Sequence, residues 1–413
     1  MAVNDSCEGN MIKEPYILFT RIPIVKDEQG NLFTDALWAK DIELHLNYIQ
    51  NFGICCPVEN SHDIEGLQNI THLNIKWLYE LKNDYGLSSI LKNLIPNFIT
   101  VIKACRKASI VHSDGAGWAF PLSFYLLPLK PLFRFQWIIV IESSFWMLGQ
   151  GEARTFRKTV EHYVHKILLK RCLKLANARI FTQSFYREYF LGDDDSRALI
   201  NHATWVDKKH ITTPDMVKRK FEERHDGALN LFYPSRLVMD KGVLVVLDAI
   251  EQLKHDNLNV NITIMGSGDL KEHCLRFAAE DHGGIKVSFQ NTVNYGEDFF
   301  NVIAQHDWLL VPTLKQEQPR IIFDAFSQGV PVMGSDTSGI LDITNKDNAL
   351  TFETGNPSSL AETIRHAARH PELGLKMGLA GLAYATGKTH LQMHQDREAF
   401  LKNSLKPYAS PQT

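Results

Sequence analysis

ALNLFYPSRLVMDKGVLVVLDAIEQLK, residues 228–254, reads as a strand, a polar turn and a helix. ALNLFYPS is short, apolar and aromatic, which suits a buried strand. KGVLVVLDAIEQLK carries its apolar residues at helical spacing. Between them SRLVMDKG places Arg236 just after the strand and Lys241 just before the helix. Two cations at a strand's carboxyl end, beside a helix N-terminus, suit a diphosphate: fixed positive charge and free N–H groups converge there. Taken alone, the pair also reads as a surface Arg and Lys.

The same alternation runs on downstream. NVNITIMGSG is a strand ending in a glycine turn, KVSFQN a strand, EDFFNVIAQ a helix and WLLVPT a strand. PRIIFDAFSQG is then a helix, VPVMGS a strand and PSSLAETIRHAARH a helix. This is one complete doubly wound domain, whose ligands belong beyond the carboxyl ends of the strands. Gly266 and Gly268 in GSGD permit close backbone approach to a ligand, or simply make a tight turn. Pro319 suits the first turn of its helix, so the loop before it can aim N–H groups at a ligand. Asp324 sits one turn further in, where a carboxylate can accept from ribose hydroxyls or stay solvated. Gly329 ends the helix.

Upstream, YILFTRIPI (Tyr16–Ile24) reads as a strand. DALWAKDIELHLNYI follows as a helix, with Trp38, Ile42, Leu46 and Ile49 on one face. IVHS, WIIVI and ARIFTQS are further strands, implying βαβ units and a largely parallel sheet. NHATWVDKKHITTPDMVKRKFEERHDGALN is polar, of mixed charge, and separates the two alternating regions. The expected fold is therefore α/β: two doubly wound, Rossmann-like domains facing a cleft. The expected bounds are 1–205, 206–390, and a helix and tail over 391–413, the helix crossing back to the first domain. A chain of 413 residues is too long for one ordinary core.

A net charge of −3 argues against a general nucleic-acid binder. Six scattered cysteines, with only Cys55–Cys56 adjacent, show no metal spacing and no disulfide framework, so a reducing, cytoplasmic setting is expected. MAVNDSCEGNMIKEP is not a signal peptide. The most apolar run, AFPLSFYLLPLKPLFRFQWIIVIESSFWML, is too interrupted by Pro, Lys, Arg and Glu for a transmembrane helix.

The ordered set SRLVMDKG, IMGSGD, VPTLKQEQPRIIFDAFSQGVPVMGS and SGILD resembles family 4 of the retaining GT-B glycosyltransferases. The resemblance covers most of residues 228–370. That family's motif is Glu, seven residues, then Glu, often with Pro-Arg inside it. Anchored on Pro319 and Arg320, the first glutamate falls on Gln316 and the second on Asp324, so the chain departs at both carboxylates. Asp keeps the ribose-binding charge with a shorter reach. Gln keeps an acceptor oxygen and loses the charge, and Glu317 stands one residue along. The resemblance implies that Arg236 and Lys241 hold the donor diphosphate and stabilise charge on the departing nucleotide. It also implies that Gly266, Gly268, Gln318, Pro319, Arg320 and Asp324 line the donor site. INHATWVD (Ile200–Asp207) looks like an altered form of the family's element ending the first domain. SGILD puts Gly339 and Asp342 where the family has glycine and glutamate.

ASIVHSDGAGW resembles the family's strand ending in two histidines. His112 matches the first, and Asp114 takes the place of the second. Either both face the transferred sugar, or His112 is structural and Asp114 turns the chain. The family's glycine-rich first loop is here VKDEQGNLFTDALW, with Gly30 alone. Lys26, Asp27, Glu28, Asp35 and Trp38 in it are candidates for an acceptor site, or the loop is simply solvated. Glu142, after WIIVI, is an acceptor contact or a buried paired carboxylate. In RTFRKTVEHYVHKILLKRCLK, Arg154, Lys158, Lys166, Lys170 and Lys174 recur at multiples of four, as do Val160, Val164, Leu168 and Cys172. That helix reads as a peripheral membrane contact or a solvated amphipathic face. GDDDS (192–196) reads as a turn before a metal site. The resemblance implies no metal and no cofactor beyond the nucleotide-sugar donor.

The expected function is transfer of a sugar, with retention, from a nucleotide-diphosphate sugar to a saccharide or lipid-linked saccharide. The rivals are a catalytically silent nucleotide-sugar-binding subunit and a nucleotide-sugar 2-epimerase of the same architecture.

Overall fold

The computed structural model describes residues 11–84, 86–117, 119–144, 146–147, 155–192, 194, 197–223 and 227–406. Arg154 of the basic row, and Asp193, Asp195 and Ser196 of the aspartate run, lie outside them. The chain divides into two compact units, residues 1–202 with 394–413, and residues 203–393.

The first unit contains β1 (Tyr16–Phe19), β2 (Ile24–Lys26), β3 (Leu32–Thr34), α1 (Ala36–Leu46), β4 (Phe52–Asn60), β5 (Gln68–Asn69) and β6 (Trp77–Leu81). It continues with α2 (Leu87–Lys107), β7 (Ile110–Asp114), α3 (Leu122–Leu126), β8 (Gln136–Ile141), α4 (Phe156–Leu175), β9 (Ala178–Phe181), α5 (Ser184–Leu191) and β10 (Ala198–Ile200). Its ten-stranded sheet runs β10-β9-β8-β7-β1-β4-β2-β3-β5, with β6 also on β4. Only the pairings of β3 are antiparallel. The order reverses between β1 and β7, which makes that border the switch point. The single strand expected over Tyr16–Ile24 is broken here. Thr20 and Arg21 are buried between β1 and β2, and Pro23 has no N–H for a ladder. Cys55 and Cys56 alternate to opposite faces of β4, one into each core layer.

The loop that stands where the resembled family has a glycine-rich one is a hairpin. β2 and β3 pair across Asp27–Asn31, where Asp27 accepts from the Asn31 N–H at 2.7 Å and Gly30 takes φ +83°. In α4 the four-residue rows do not hold one face. Each step of four turns the helix 40° too far, so Cys172 ends in the core while Val160 and Val164 remain exposed.

The second unit contains α6 (Pro214–Glu222), β11 (Leu229–Pro234), α7 (Val243–Leu253), β12 (Val260–Met265), α8 (Lys271–Ala278), β13 (Ile285–Gln290) and α9 (Glu297–Ala304). After these come β14 (Trp308–Val311), α10 (Ile321–Ser327), β15 (Val332–Ser335), α11 (Ser338–Leu341), β16 (Ala349–Phe352), α12 (Pro357–Arg369) and α13 (Glu372–Thr386). The six strands are all parallel in the order β13-β12-β11-β14-β15-β16, reversing between β11 and β14. α14 (His390–Ser404) begins in this unit and ends in the first.

A buried polar network seats that last helix on the first unit. Asp41 of α1 accepts from His394 Nε2 at 2.9 Å. His45 Nδ1 donates to the Asp41 carbonyl at 2.8 Å, which leaves Nε2 to accept from Arg397 at 3.3 Å. Burial holds His394 neutral, down to about 3, against the pull of Asp41. Charge is thus matched by one carboxylate and one guanidinium, with neutral imidazoles between them.

Candidate active site

The switch point of the six-stranded sheet is where the second unit gathers its charge. The loop after β11 carries Arg236, exposed, and a 3₁₀ turn over Met239–Lys241 carries Lys241 into α7. The loop after β14 carries Gln316, Glu317, Gln318, Pro319 and Arg320. Backbone contacts tie the two loops together. Leu314 N–H donates to Asp240 O at 2.9 Å, and Gly242 at φ +73° lies so close to Pro312 that a Cβ would stand 2.0 Å from its carbonyl oxygen. Burial pulls Lys241 below the ordinary lysine value; Asp240 opposes this, and the fields of Arg236 and Arg320 reinforce it. Three cations therefore feel one another at the carboxyl edge of β11 and β14. Lys241 is met by Glu317 in an ion pair whose members are both only partly exposed.

The remaining loop residues take definite tasks. Gln316 Oε1 accepts from the Ser338 N–H at 2.8 Å and its hydroxyl at 2.7 Å, so its acceptor oxygen holds the start of α11. Gln318 was expected in the donor site. Its amide instead pairs both ways with the Ala203 backbone, at 2.8 Å each, because a primary amide matches a peptide group. Pro319 lies ahead of the helix rather than in its first turn, since Arg320 is the cap and α10 starts at Ile321. The Arg320 guanidinium stands 5.1 Å from the Trp205 ring centroid, a cation–π distance. Asp324 is buried and accepts from the Tyr295 hydroxyl at 2.7 Å. Burial pushes its carboxyl up to about 7, with Tyr295 and Arg320 working against the shift.

Gly266 and Gly268 are needed for packing against protein backbone. With φ of +158° and +146°, they let the loop after β12 lie on Ser235–Leu237. A Cβ on Gly266 would stand 1.8 Å from Ser235 O. Their role is to brace the segment that presents Arg236. Gly339 is buried in α11, and Asp342 is its C-cap.

In the first unit, His112 is buried on β7, with Nδ1 2.6 Å from the Tyr16 hydroxyl. Burial first, then Arg397 and His45, drive it well below the ordinary histidine value. It is a neutral core histidine, which corrects the sugar-facing expectation. Asp114 ends β7 at the switch point. One oxygen accepts from the Leu122 N–H at 3.0 Å, and the other is buried without a hydrogen bond. Burial raises Asp114 to about 6, Arg21 opposes, and Glu142 adds to the rise. Glu142 is exposed. Asp35 caps α1, accepting from the N–H groups of Leu37 and Trp38 at 2.9 and 3.3 Å. Trp38 is buried in the apolar layer beneath β1 and β4, which corrects its acceptor role. Asp41, His45 and His394 are near enough to hold a metal ion. Their lone pairs instead face N–H groups and the Tyr48 hydroxyl, and the Arg397 guanidinium beside them opposes a cation.

Sequence reasoning missed Tyr295, Trp205 and Arg21. Tyr295 stands in NTVNYG after β13, a strand-end loop. Trp205 stands in the INHATWVD element. Arg21 follows β1 at the other switch point, where it pairs with Asp84 and donates to Phe120 O at 2.7 Å. Strand-end position was the signal available for Tyr295 and Arg21.

Residues 228–370 match the family described as Glycosyl transferases group 1. No curated protein matches the chain. Among solved structures, it is similar to Anabaena HepE in complex with UDP-glucose, at 14% identity and TM-score 0.66, over 94% of this chain and 100% of that one. Sucrose-phosphate synthase from Thermosynechococcus elongatus gives 13% identity and TM-score 0.67, over 94% and 98%. The lipopolysaccharide outer core galactosyltransferase WaaB gives 14% and 0.63, over 94% and 100%. Likeness at such low identity speaks for fold, and the family match speaks for the second unit. The chain thus has the GT-B fold, and its residues 228–370 are similar to glycosyl transferases group 1.

Proposed function

We propose that the protein is a retaining glycosyltransferase that uses a nucleotide-diphosphate sugar and passes the sugar to a saccharide or lipid-linked saccharide. The observation that carries this reading is the gathering of Arg236, Lys241 and Arg320 at the β11–β14 switch point, inside the matched segment. Arg236 and Lys241 hold the diphosphate, and Arg320 adds to the field. As the glycosidic bond to the nucleotide breaks, negative charge grows on the departing phosphate, and these fixed cations stabilise it. The acceptor hydroxyl attacks from the same face, and its proton passes to a donor phosphate oxygen. Asp324, oriented by Tyr295, accepts from the ribose hydroxyls. Glu317 lies beside Lys241, where it orders the cation before donor arrives and then faces the sugar. The cations do the work a divalent metal would do, so the scheme needs none. In the first unit Glu142 remains an acceptor-side candidate, and Asp114 a candidate contact to the transferred sugar.

A uridine diphosphate sugar is the first donor to try, because HepE is a UDP-glucose complex. Calorimetry with uridine, guanosine and adenosine diphosphate sugars should find one that binds, more weakly to Lys241→Ala. Failure of all three would overturn the reading. The neutral Gln316 and the Lys241–Glu317 pair favour one rival, a silent binding subunit. That rival predicts donor binding with neither transfer nor hydrolysis.

A further inference from the structure

The outer sides of two helices in the first unit are unusually apolar. α4 buries His165, Leu169, Cys172 and Leu173 against the sheet. At 100° per residue, the opposite side carries Phe156, Val160, Tyr163, Val164 and Ile167. All five are exposed, Phe156 by 86%. α2 repeats the pattern. Val101, Ala104 and Cys105 face the core, while Leu91, Ile95 and Ile99, four apart, face outward. Leu91 and Ile95 are 76% and 72% exposed. Both helices cover the same face of the ten-stranded sheet, and α3 touches each of them. Single exposed apolar residues are ordinary, but rows on two helices of one layer are not.

Charge is a second and independent observation. α2 holds four Lys and Arg and no acid, and α4 holds six against the single Glu161. The chain as a whole is at −3, so positive charge is concentrated on this face. The basic side chains border the apolar rows. Lys92, Lys103 and Arg106 are exposed along α2, and Lys170, Arg171 and Lys174 continue the outer side of α4 beyond Ile167.

We infer that this two-helix face docks on an anionic lipid surface. The apolar rows enter the boundary between headgroups and acyl chains, and the Lys and Arg side chains meet lipid phosphates. Among the described residues no helix is long and apolar enough to cross a membrane, so the helices lie on it. A second copy of the chain fits less well, because a two-fold contact would press two strongly basic faces together. A nucleic acid would answer the charge and leave the apolar rows in water.

The test is flotation of the full chain with vesicles of phosphatidylcholine containing about one-third phosphatidylglycerol, against phosphatidylcholine alone. The protein should float with the anionic vesicles, and less so as salt rises. Ile95→Glu with Ile167→Glu should abolish flotation. Lys170→Glu with Lys174→Glu should cut partitioning by roughly 10-fold or more, at about one kcal/mol for each charge near the surface. Met216→Glu, an exposed apolar site on α6, should change nothing. These positions are exposed, so circular dichroism should show every variant folded. Donor binding, measured on the same variants, should persist, which separates this inference from the proposed activity. No flotation at low salt would overturn it, as would flotation indifferent to the α2 and α4 variants. So would a lipid-free dimer that the same variants dissolve.

Discussion

The two units each gather titratable side chains, and they use them in opposite ways. In the first unit, Asp41, His45, His394 and Arg397 close on one another. Imidazole N–H groups face oxygens, imidazole lone pairs face donors, and the single carboxylate is matched by the single guanidinium. In the second unit, Arg236, Lys241 and Arg320 share one neighbourhood in which Glu317 pairs with Lys241 and Asp240 also acts on it. The first cluster's carboxylate and imidazoles are met by protein groups, with Arg397 Nε left as a buried atom without a partner. The second crowds three cations about Glu317 and Asp240 at a sheet's switch point. Crowded like charges, rather than the number of polar groups, make the second cluster the candidate ligand site.

That contrast can be broken by single changes. Arg397→Ala should be the most damaging, because it leaves Asp41 buried beside neutral imidazoles. Removing one member of a buried charge network costs about 3–5 kcal/mol. Thermal unfolding should shift down by roughly 10 °C for a unit of this size. A Tm within a degree or two of the parent would show the network to be incidental. Arg236→Ala and Lys241→Ala should do the reverse. Both sites are at least partly exposed, so Tm should hold, while turnover falls by about 10²–10³-fold, the usual cost of losing one transition-state charge contact. Unchanged turnover in both would remove the diphosphate role.

Much of this was legible in the sequence, for physical reasons. The second unit is fully parallel, and its strands are short apolar runs bounded by glycine and polar turns, so nearly every element stands out. Arg236 and Lys241 were legible because a strand-end loop has few places to put a charge. The first unit was harder. Thr20 and Arg21 look like strand interior until Pro23 breaks the ladder. His112 shares a pattern with ligand-facing histidines, and only its burial against Tyr16 reveals a core residue. Trp38 and Gln318 have side chains whose partners lie far along the chain or across a layer, and no local spacing encodes that. The network on α14 joins residues about 350 positions apart, beyond the reach of any periodicity.

Asp324 belongs to the ligand cluster by position but resembles the buried network by its environment, and so sharpens the comparison. Its carboxyl is raised to about 7 from an ordinary 3.8, chiefly by burial. The folded state therefore keeps its proton longer than the unfolded state does. This group's contribution to stability is fullest below about pH 4, declines as pH rises to about 7, and then levels off. Asp324→Asn should abolish that decline. At about pH 8 the variant should be more stable than the parent by on the order of 4 kcal/mol, with no gain at about pH 4. If Asp324 accepts from ribose as proposed, nucleotide affinity should fall by about tenfold, because a neutral amide replaces the carboxylate. A stability gain with undiminished affinity would make Asp324 structural, like Asp41.

The smallest effect is expected where the chain departs from its relatives' motif. Gln316 uses its amide oxygen to hold the Ser338 N–H and hydroxyl. A glutamate has the same length and offers an oxygen to the same two donors. Gln316→Glu should therefore change unfolding stability by no more than about 0.5 kcal/mol, the range usual for changes that create no buried unpaired group. Its added charge would stand near Lys241 and Arg320, so donor affinity should move by less than about threefold, downward, through partial cancellation of the cationic field. Glu317→Ala provides the counterpart. It releases Lys241 for the diphosphate, so the nucleotide alone should bind more tightly, while sugar transfer falls if Glu317 faces the sugar. Tighter nucleotide binding with full transfer would return the sugar contact to Gln316. In that case an amide oxygen already shared with Ser338 is enough to orient the transferred ring, and the carboxylate of the family motif is dispensable in this chain.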